Sequence, residues 1–338
     1  MSYFSGPWGR TAGLTAGAAL LAATAACGAG QAQGAGGDAK PQVMAAFYPL
    51  QWLTERVGGG DVSVVPLTKP GVEPHDLELT PRQVVSLAEA DLTVYIKGVQ
   101  PALDEAVEHN AKDKGFDAAT VVPKLPATGD AHEHEHEGEA GQGGGHSAEQ
   151  REQGEQGEAA HAHEGEAVSY DPHLWLDPSR FAIVANKLGD RLAAADPAHA
   201  KAHKDRAAAV AAELTALDAE MKRGLGSCAG HALVTSHAAF GYLAGRYGLE
   251  QVGISGIDPE AEPSLARLAE VEQVAKREKV TTIFTEALVS PKVAEVLAEQ
   301  VGAKTAVLDP LESKPASGDY LTAMRANLAT LRTALNCT

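Results

Sequence analysis

Four short segments carry side chains that could act together. They are Glu73-Pro74-His75-Asp76, Asp171-Pro172-His173-Leu174-Trp175-Leu176-Asp177-Pro178, Thr235-Ser236-His237-Ala238-Ala239-Phe240 and Leu308-Asp309-Pro310-Leu311-Glu312. A proline precedes both His75 and His173 and stiffens the backbone that presents each ring. Ser236 is placed to cap a helix starting near His237. Three neutral imidazoles and one carboxylate make a tetrahedral donor set suited to zinc, at about 2.0–2.2 Å per bond. The last segment offers the carboxylates of Asp309 and Glu312. A third imidazole is softer than a carboxylate and favours zinc over manganese.

A second concentration of donors lies in residues 129–167. His132, His134 and His136 alternate with glutamates, and His146, His161 and His163 follow. The stretch between is Gly, Gln and Glu with almost nothing apolar, so it cannot bury enough surface to offset the entropy of ordering it. It reads as a disordered loop that binds metal weakly and exchangeably. It holds eleven acids against Arg151 and so supplies most of the formal net charge of −17. The remainder is only mildly acidic, which excludes a surface built for nucleic acid.

The elements that position these segments follow from the hydrophobic pattern. Strands are expected at residues 43–48, 62–67 and 92–96 and at Thr120-Val121-Val122, with helices at 50–57, 81–89 and 101–108 between them. After the loop, a helix starts at Asp177-Pro178 and runs to residue 195. A long Ala-rich helix follows to about residue 223, with Val210, Leu214, Leu217 and Met221 at helical spacing. Its length suggests a rod. Strand and helix then alternate again from Ala232 to the end. The reading is α/β: two similar lobes, each a mostly parallel sheet flanked by helices. The N-terminal lobe covers 42–195, the linking helix 196–223 and the C-terminal lobe 224–338. Ligands of open α/β sheets bind beyond the carboxyl ends of the strands, which places the site in the cleft between lobes.

The N-terminal segment reads as targeting. Arg10 precedes a small, apolar stretch too short to span a bilayer, which ends at Thr24-Ala25-Ala26-Cys27-Gly28. It resembles the bacterial lipoprotein signal, with residues 1–26 removed, Cys27 lipidated and 27–41 a flexible tether. Thr24 departs from the usual aliphatic residue, and an ordinary secretory signal is the other reading. Cys228 and Cys337 remain. In an oxidising compartment they are expected to be bridged, with two free thiols as the alternative. No HExxH, GxSxG or other nucleophile motif occurs, which argues against an enzyme.

The chain resembles the zinc-specific solute-binding lipoproteins of bacterial ABC importers, a cluster that also contains manganese binders. The likeness covers about 43–335. It is strongest at Glu73-Pro74-His75-Asp76, at 171–178, and in the run 235–264 with Ile254-Ser255-Gly256 and Glu262-Pro263-Ser264. The resemblance implies two lobes joined by one long rigid helix with the metal between them. It maps the first three ligands onto His75, His173 and His237, and a fourth onto a Glu or Asp after the last strand: Glu312 fits best by position, with Asp309 in the same turn and Glu286, closing Ile283-Phe284-Thr285, as alternatives. An internal His-rich loop is typical of the zinc branch. The manganese branch usually has Glu where this chain has His237. Some zinc members place Glu directly before the first His, where this chain has Pro74. The implied function is capture of Zn(II), as cargo, at the extracytoplasmic face of the membrane. Delivery would be to an ABC permease with its cytoplasmic ATPase, by a lipid-anchored monomer. Binding of manganese or another divalent metal, or a role as surface adhesin or metal buffer, is the alternative.

Overall fold

The computed structural model describes residues 40–127 and 168–338. The targeting segment with Cys27, and the tract bearing His132, His134, His136, His146, His161 and His163, lie outside the described residues.

The first sheet has four parallel strands in the order β2-β1-β3-β4: β1 (Gln42–Ala45), β2 (Ser63–Pro66), β3 (Leu92–Tyr95) and β4 (Gly115–Asp117). Helices α1 (Tyr48–Gly58), α2 (Pro81–Glu89) and α3 (Pro101–Asn110) make the crossovers. Val43, Met44, Leu92 and Val94 are buried, as central strands covered on both faces require. Thr80 and Gln83 close a reciprocal capping box at the start of α2, and Pro81 supplies its first turn. The strand expected at Thr120-Val121-Val122 is absent. A 3₁₀ turn covers Ala118–Val121, and the fourth strand is β4. The Asp117 carboxylate accepts the Ala119 N–H at 2.9 Å and so starts that turn, overriding the β-branched residues.

Helix α4 (Pro178–Ala195) leads through a short 3₁₀ turn into α5 (Ala200–Leu225), 26 residues long. At 1.5 Å per residue it spans about 39 Å. It does not stand free. Ala207, Val210, Ala211, Leu214, Leu217, Met221 and Leu225 are buried along one face. Arg206 donates to the Val57 and Gly58 carbonyls at the end of α1, and Arg56 reaches Glu213 at 2.7 Å.

The second sheet repeats the first, in the order β6-β5-β7-β8: β5 (Ala232–Thr235), β6 (Glu250–Gly253), β7 (Thr282–Thr285) and β8 (Lys304–Val307). Around it lie α6 (Gly241–Tyr247), α7 (Leu265–Arg277), α8 (Lys292–Val301) and α9 (Tyr320–Ala334). This half also grips α5. Arg246 of α6 makes a two-pronged pair with Asp218, at 2.8 and 2.7 Å, and Arg325 of α9 reaches Glu220 at 2.9 Å.

One continuous apolar core runs from β1 and α1 through α4 and α5 into α6 and α9. Trp52 of α1, Phe181 of α4 and Tyr320 of α9 meet within it, with ring centroids 4.8 to 6.2 Å apart. Such aromatic pairs add about 0.5–1.5 kcal/mol each beyond the area they bury. Exposed ion pairs contribute about 0–1 kcal/mol. Packing therefore joins the halves more strongly than surface charge does. Cys228, just after α5, is bonded to Cys337, just after α9, across a separation of 109 residues.

Candidate metal centre

Each histidine of the site is held by its own local device. His75 lies on the long irregular segment between β2 and α2. Glu73 braces the turn there, its carboxylate accepting the Asp76 N–H at 3.2 Å. His173 opens the 3₁₀ turn Leu174–Leu176 just before α4. Asp171 accepts from both its backbone N–H, at 2.9 Å, and its ring Nδ1, at 2.8 Å. His237 follows β5 directly, but α6 begins only at Gly241, so Ser236 does not cap it. The Ser236 hydroxyl instead donates to the Phe284 carbonyl. Glu286 takes the positioning role, accepting the His237 backbone N–H at 3.1 Å and meeting Nδ1 at 2.6 Å.

With both Nδ1 atoms engaged, the Nε2 atoms of His173 and His237 point inward. Both are buried, and neither has a hydrogen-bond partner. Glu312 Oε1 lies 3.4 Å from His75 Nε2, 3.7 Å from His173 Nε2 and 3.6 Å from His237 Nε2. All four donors lie within 4.8 Å of one another. A tetrahedral zinc with bonds of about 2.0–2.2 Å separates its donors by roughly 3.3–3.6 Å, so a small contraction would close the set. Four protein donors leave no open position for a reacting water.

The three carboxylates left open by the sequence now stand apart. Glu312 faces the common point. Glu286 sits behind His237, on the nitrogen turned away from the centre. The Asp309 carboxylate accepts the Leu311 N–H at 2.7 Å. Asp171 went unremarked in the sequence, and spacing alone does not mark such a brace: Glu73 stands in the same place before His75 yet accepts the Asp76 N–H instead. Carboxylates behind metal-binding imidazoles fix the tautomer and raise basicity.

The electrostatics fit a cation. Burial pulls the His237 imidazole down, but Glu286 and then Glu312 outweigh it, leaving it pushed up to about 10. His75 is opposed by burial and raised on balance by Glu312. Burial opposes the Glu312 charge, yet His237 and His75 hold its carboxyl well below the usual range. His173 goes the other way: burial dominates over Asp171 and lowers it, favouring the neutral ring. Both shifts favour the protonated ring, most strongly at His237, and a metal must displace the protons held there. Lower pH adds competitors, so affinity should fall as pH falls. Between pH 6 and 8, zinc binding should release about one to two protons, and affinity should change by roughly tenfold per pH unit per proton. Calorimetry in buffers of different ionisation enthalpy counts them, and a count of zero would contradict this protonation pattern.

A family profile described as zinc-uptake complex component A, periplasmic, matches residues 43–334. The chain belongs to that family. Members of the zinc-uptake complex component A family are solute-binding proteins rather than enzymes. The chain is 35% identical over 304 residues to the zinc-binding protein AdcA of Streptococcus pyogenes. It is 34% identical over 301 residues to the zinc-binding lipoprotein AdcA of Streptococcus pneumoniae. Each match covers 87% of this chain and 56% of the relative, so the chain spans little more than half their length. Among solved structures, a zinc-bound variant of AdcAII from Streptococcus pneumoniae superposes with a TM-score of 0.70 at 27% identity. That match covers 88% of this chain and 98% of the other. Two lobes and a long joining helix are the architecture expected from the sequence, with three histidines and, as it turns out, Glu312 gathered at one point.

Proposed function

We propose that this protein captures Zn(II) outside the cytoplasm and passes it to an ABC-type permease coupled to a cytoplasmic ATPase. The convergence of His75, His173, His237 and Glu312 on one buried point carries the reading. In it, these four residues are the metal ligands, with Glu312 the fourth, and Asp171 and Glu286 orient His173 and His237. Family membership and the zinc-binding relatives support zinc as cargo. The lipoprotein relative supports anchoring at the membrane surface through Cys27 after removal of residues 1–26. Among the described residues no helix is long and apolar enough to cross a membrane. The protein acts as a monomer and does not bind nucleic acid. In a strain lacking the gene, growth in a chelator should fail and be restored by zinc. The wild-type gene should complement, and a gene encoding His75→Ala and His237→Ala together should not. Complementation by that double variant would refute the reading.

The His/Glu tract is an auxiliary collector in this scheme. Its neck is already closed: Ala127 N–H donates to the Ser169 carbonyl at 3.3 Å and Asp171 N–H to the Leu125 carbonyl at 2.9 Å. Deleting 129–167 therefore leaves adjacent ends and an undisturbed His173. Zinc stoichiometry should fall to about one, while the tightest affinity stays within roughly tenfold, about 1.4 kcal/mol. Loss of the tightest site on deletion would move a ligand into the tract.

A further inference from the structure

The loop that presents Glu312 is held from two sides, and only one of them belongs to its own lobe. On its own side, buried Asn327 of α9 donates to the Asp309 carbonyl at 2.7 Å and accepts the Asp309 N–H at 3.1 Å. The Asp309 carboxylate then accepts the Leu311 N–H. Leu311 has φ +61°, a left-handed conformation that a leucine adopts only when its surroundings impose it. The other side is Trp175, two residues after His173 and fully buried. Its indole N–H donates to the Pro310 carbonyl at 2.7 Å, which fixes the peptide entering Leu311. Its own carbonyl accepts the Tyr320 hydroxyl at the start of α9. The indole packs edge-on against Phe47, centroids 4.7 Å apart, and lies 5.1 Å from the His173 ring.

We infer that Trp175 is a positioning residue of the metal centre, setting the Glu312 loop of one lobe against the His173 segment of the other through the Pro310 carbonyl. The inference rests on the reading of Glu312 as fourth ligand. The sequence carries Trp175 in a run of apolar residues, where it reads as core. Its indole N–H on the Pro310 carbonyl, two residues before Glu312, separates it from a residue that only fills space. Without the indole N–H, the Pro310 carbonyl is buried and unpaired, and from the first lobe only the Gly71 N–H on the Ser313 hydroxyl, beyond Glu312, still holds the loop. Glu312 would then swing from the point on which the three Nε2 atoms converge.

The test uses Trp175→Phe, which keeps an aromatic ring and removes the N–H, alongside Glu312→Gln and the double variant. Zinc affinity is read by chelator competition, and coordination by the visible absorption of the Co(II)-substituted protein. Trp175→Phe should bind one metal about tenfold more weakly. Its Co(II) spectrum should shift toward that of Glu312→Gln, and it should cost nothing further in the Glu312→Gln background. An unchanged spectrum and affinity in Trp175→Phe, with Glu312→Gln weakened, would overturn the inference and leave the ligand set standing. An equal loss in both backgrounds would also overturn it, because Trp175 would then act through general packing. An unaffected Glu312→Gln would remove the fourth ligand and the inference with it. Tyr320→Phe, which deletes only the hydroxyl on the Trp175 carbonyl, is the second probe should Trp175→Phe not fold. It should shift the Co(II) spectrum in the same direction, and no shift would count against the clamp.

Discussion

Replacing His237 with alanine should weaken tight zinc binding by on the order of a hundredfold or more, since structural zinc sites of four donors hold roughly 10–16 kcal/mol between them. Two losses add at this position. One donor disappears, and Glu286 loses its ring partner while keeping the backbone N–H of residue 237, leaving one carboxylate oxygen buried without its contact. Glu286→Gln removes only the brace and should cost less, about tenfold. Titration of the protein lacking 129–167 against a competing chelator isolates the cleft from the tract. Tight binding that survives His237→Ala in that background would rule out the assigned ligand set. A Glu286→Gln loss as large as that of His237→Ala would instead make Glu286 a direct donor.

Opening the Cys228–Cys337 bond should produce the largest change in stability. A cross-link enclosing 109 residues restricts the unfolded chain by about 5 kcal/mol in the chain-entropy model. The bond joins the segment after α5 to the segment after α9, and Arg325–Glu220 already links those helices. The double variant Cys228→Ser, Cys337→Ser should therefore keep its fold and its zinc stoichiometry. Its metal-free thermal midpoint should drop by roughly 10 °C. Mass spectrometry of the exported protein without reductant should find the linked peptides. Two alkylatable thiols in that sample would refute the bond.

Much of this site is legible in the sequence because its histidines sit in chemically marked places. His75 and His173 each follow a proline, and His237 ends a strand of apolar residues. The fourth donor could not be read, since Glu286, Asp309 and Glu312 all lie beyond strands of the second sheet. What separates them is which nitrogen or N–H each carboxylate meets, a three-dimensional fact. The fourth strand of the first lobe was hidden for a different reason. Gly115-Phe116-Asp117 has weak strand propensity, while the β-branched residues nearby follow an aspartate that turns the chain. The start of α6 was misjudged because Ser236 looks like a cap, yet its hydroxyl is taken by Phe284. Trp175 shows a further limit: apolar neighbours conceal a polar task.

Helix α5 is bonded along its length to both lobes, by Arg56 and Arg206 near one end and by Arg246 and Arg325 toward the other. A wide swing of the lobes would have to part the continuous core around α5 as well as these contacts, so on the proposed function the ion is expected to leave by a local route. Three of the four donor residues are buried, and His75 is the least enclosed. It rides on the stretch between Pro66 and Pro81, which has no helix or strand and is fastened at Gly71 to the Ser313 hydroxyl at 2.7 Å. Such stretches open at far lower cost than the sheets beneath them. On that reading the residence time of the ion should follow how often this one strap lifts. A transporter could shorten that time from outside by pulling on the strap, leaving both sheets and the spine between them unmoved.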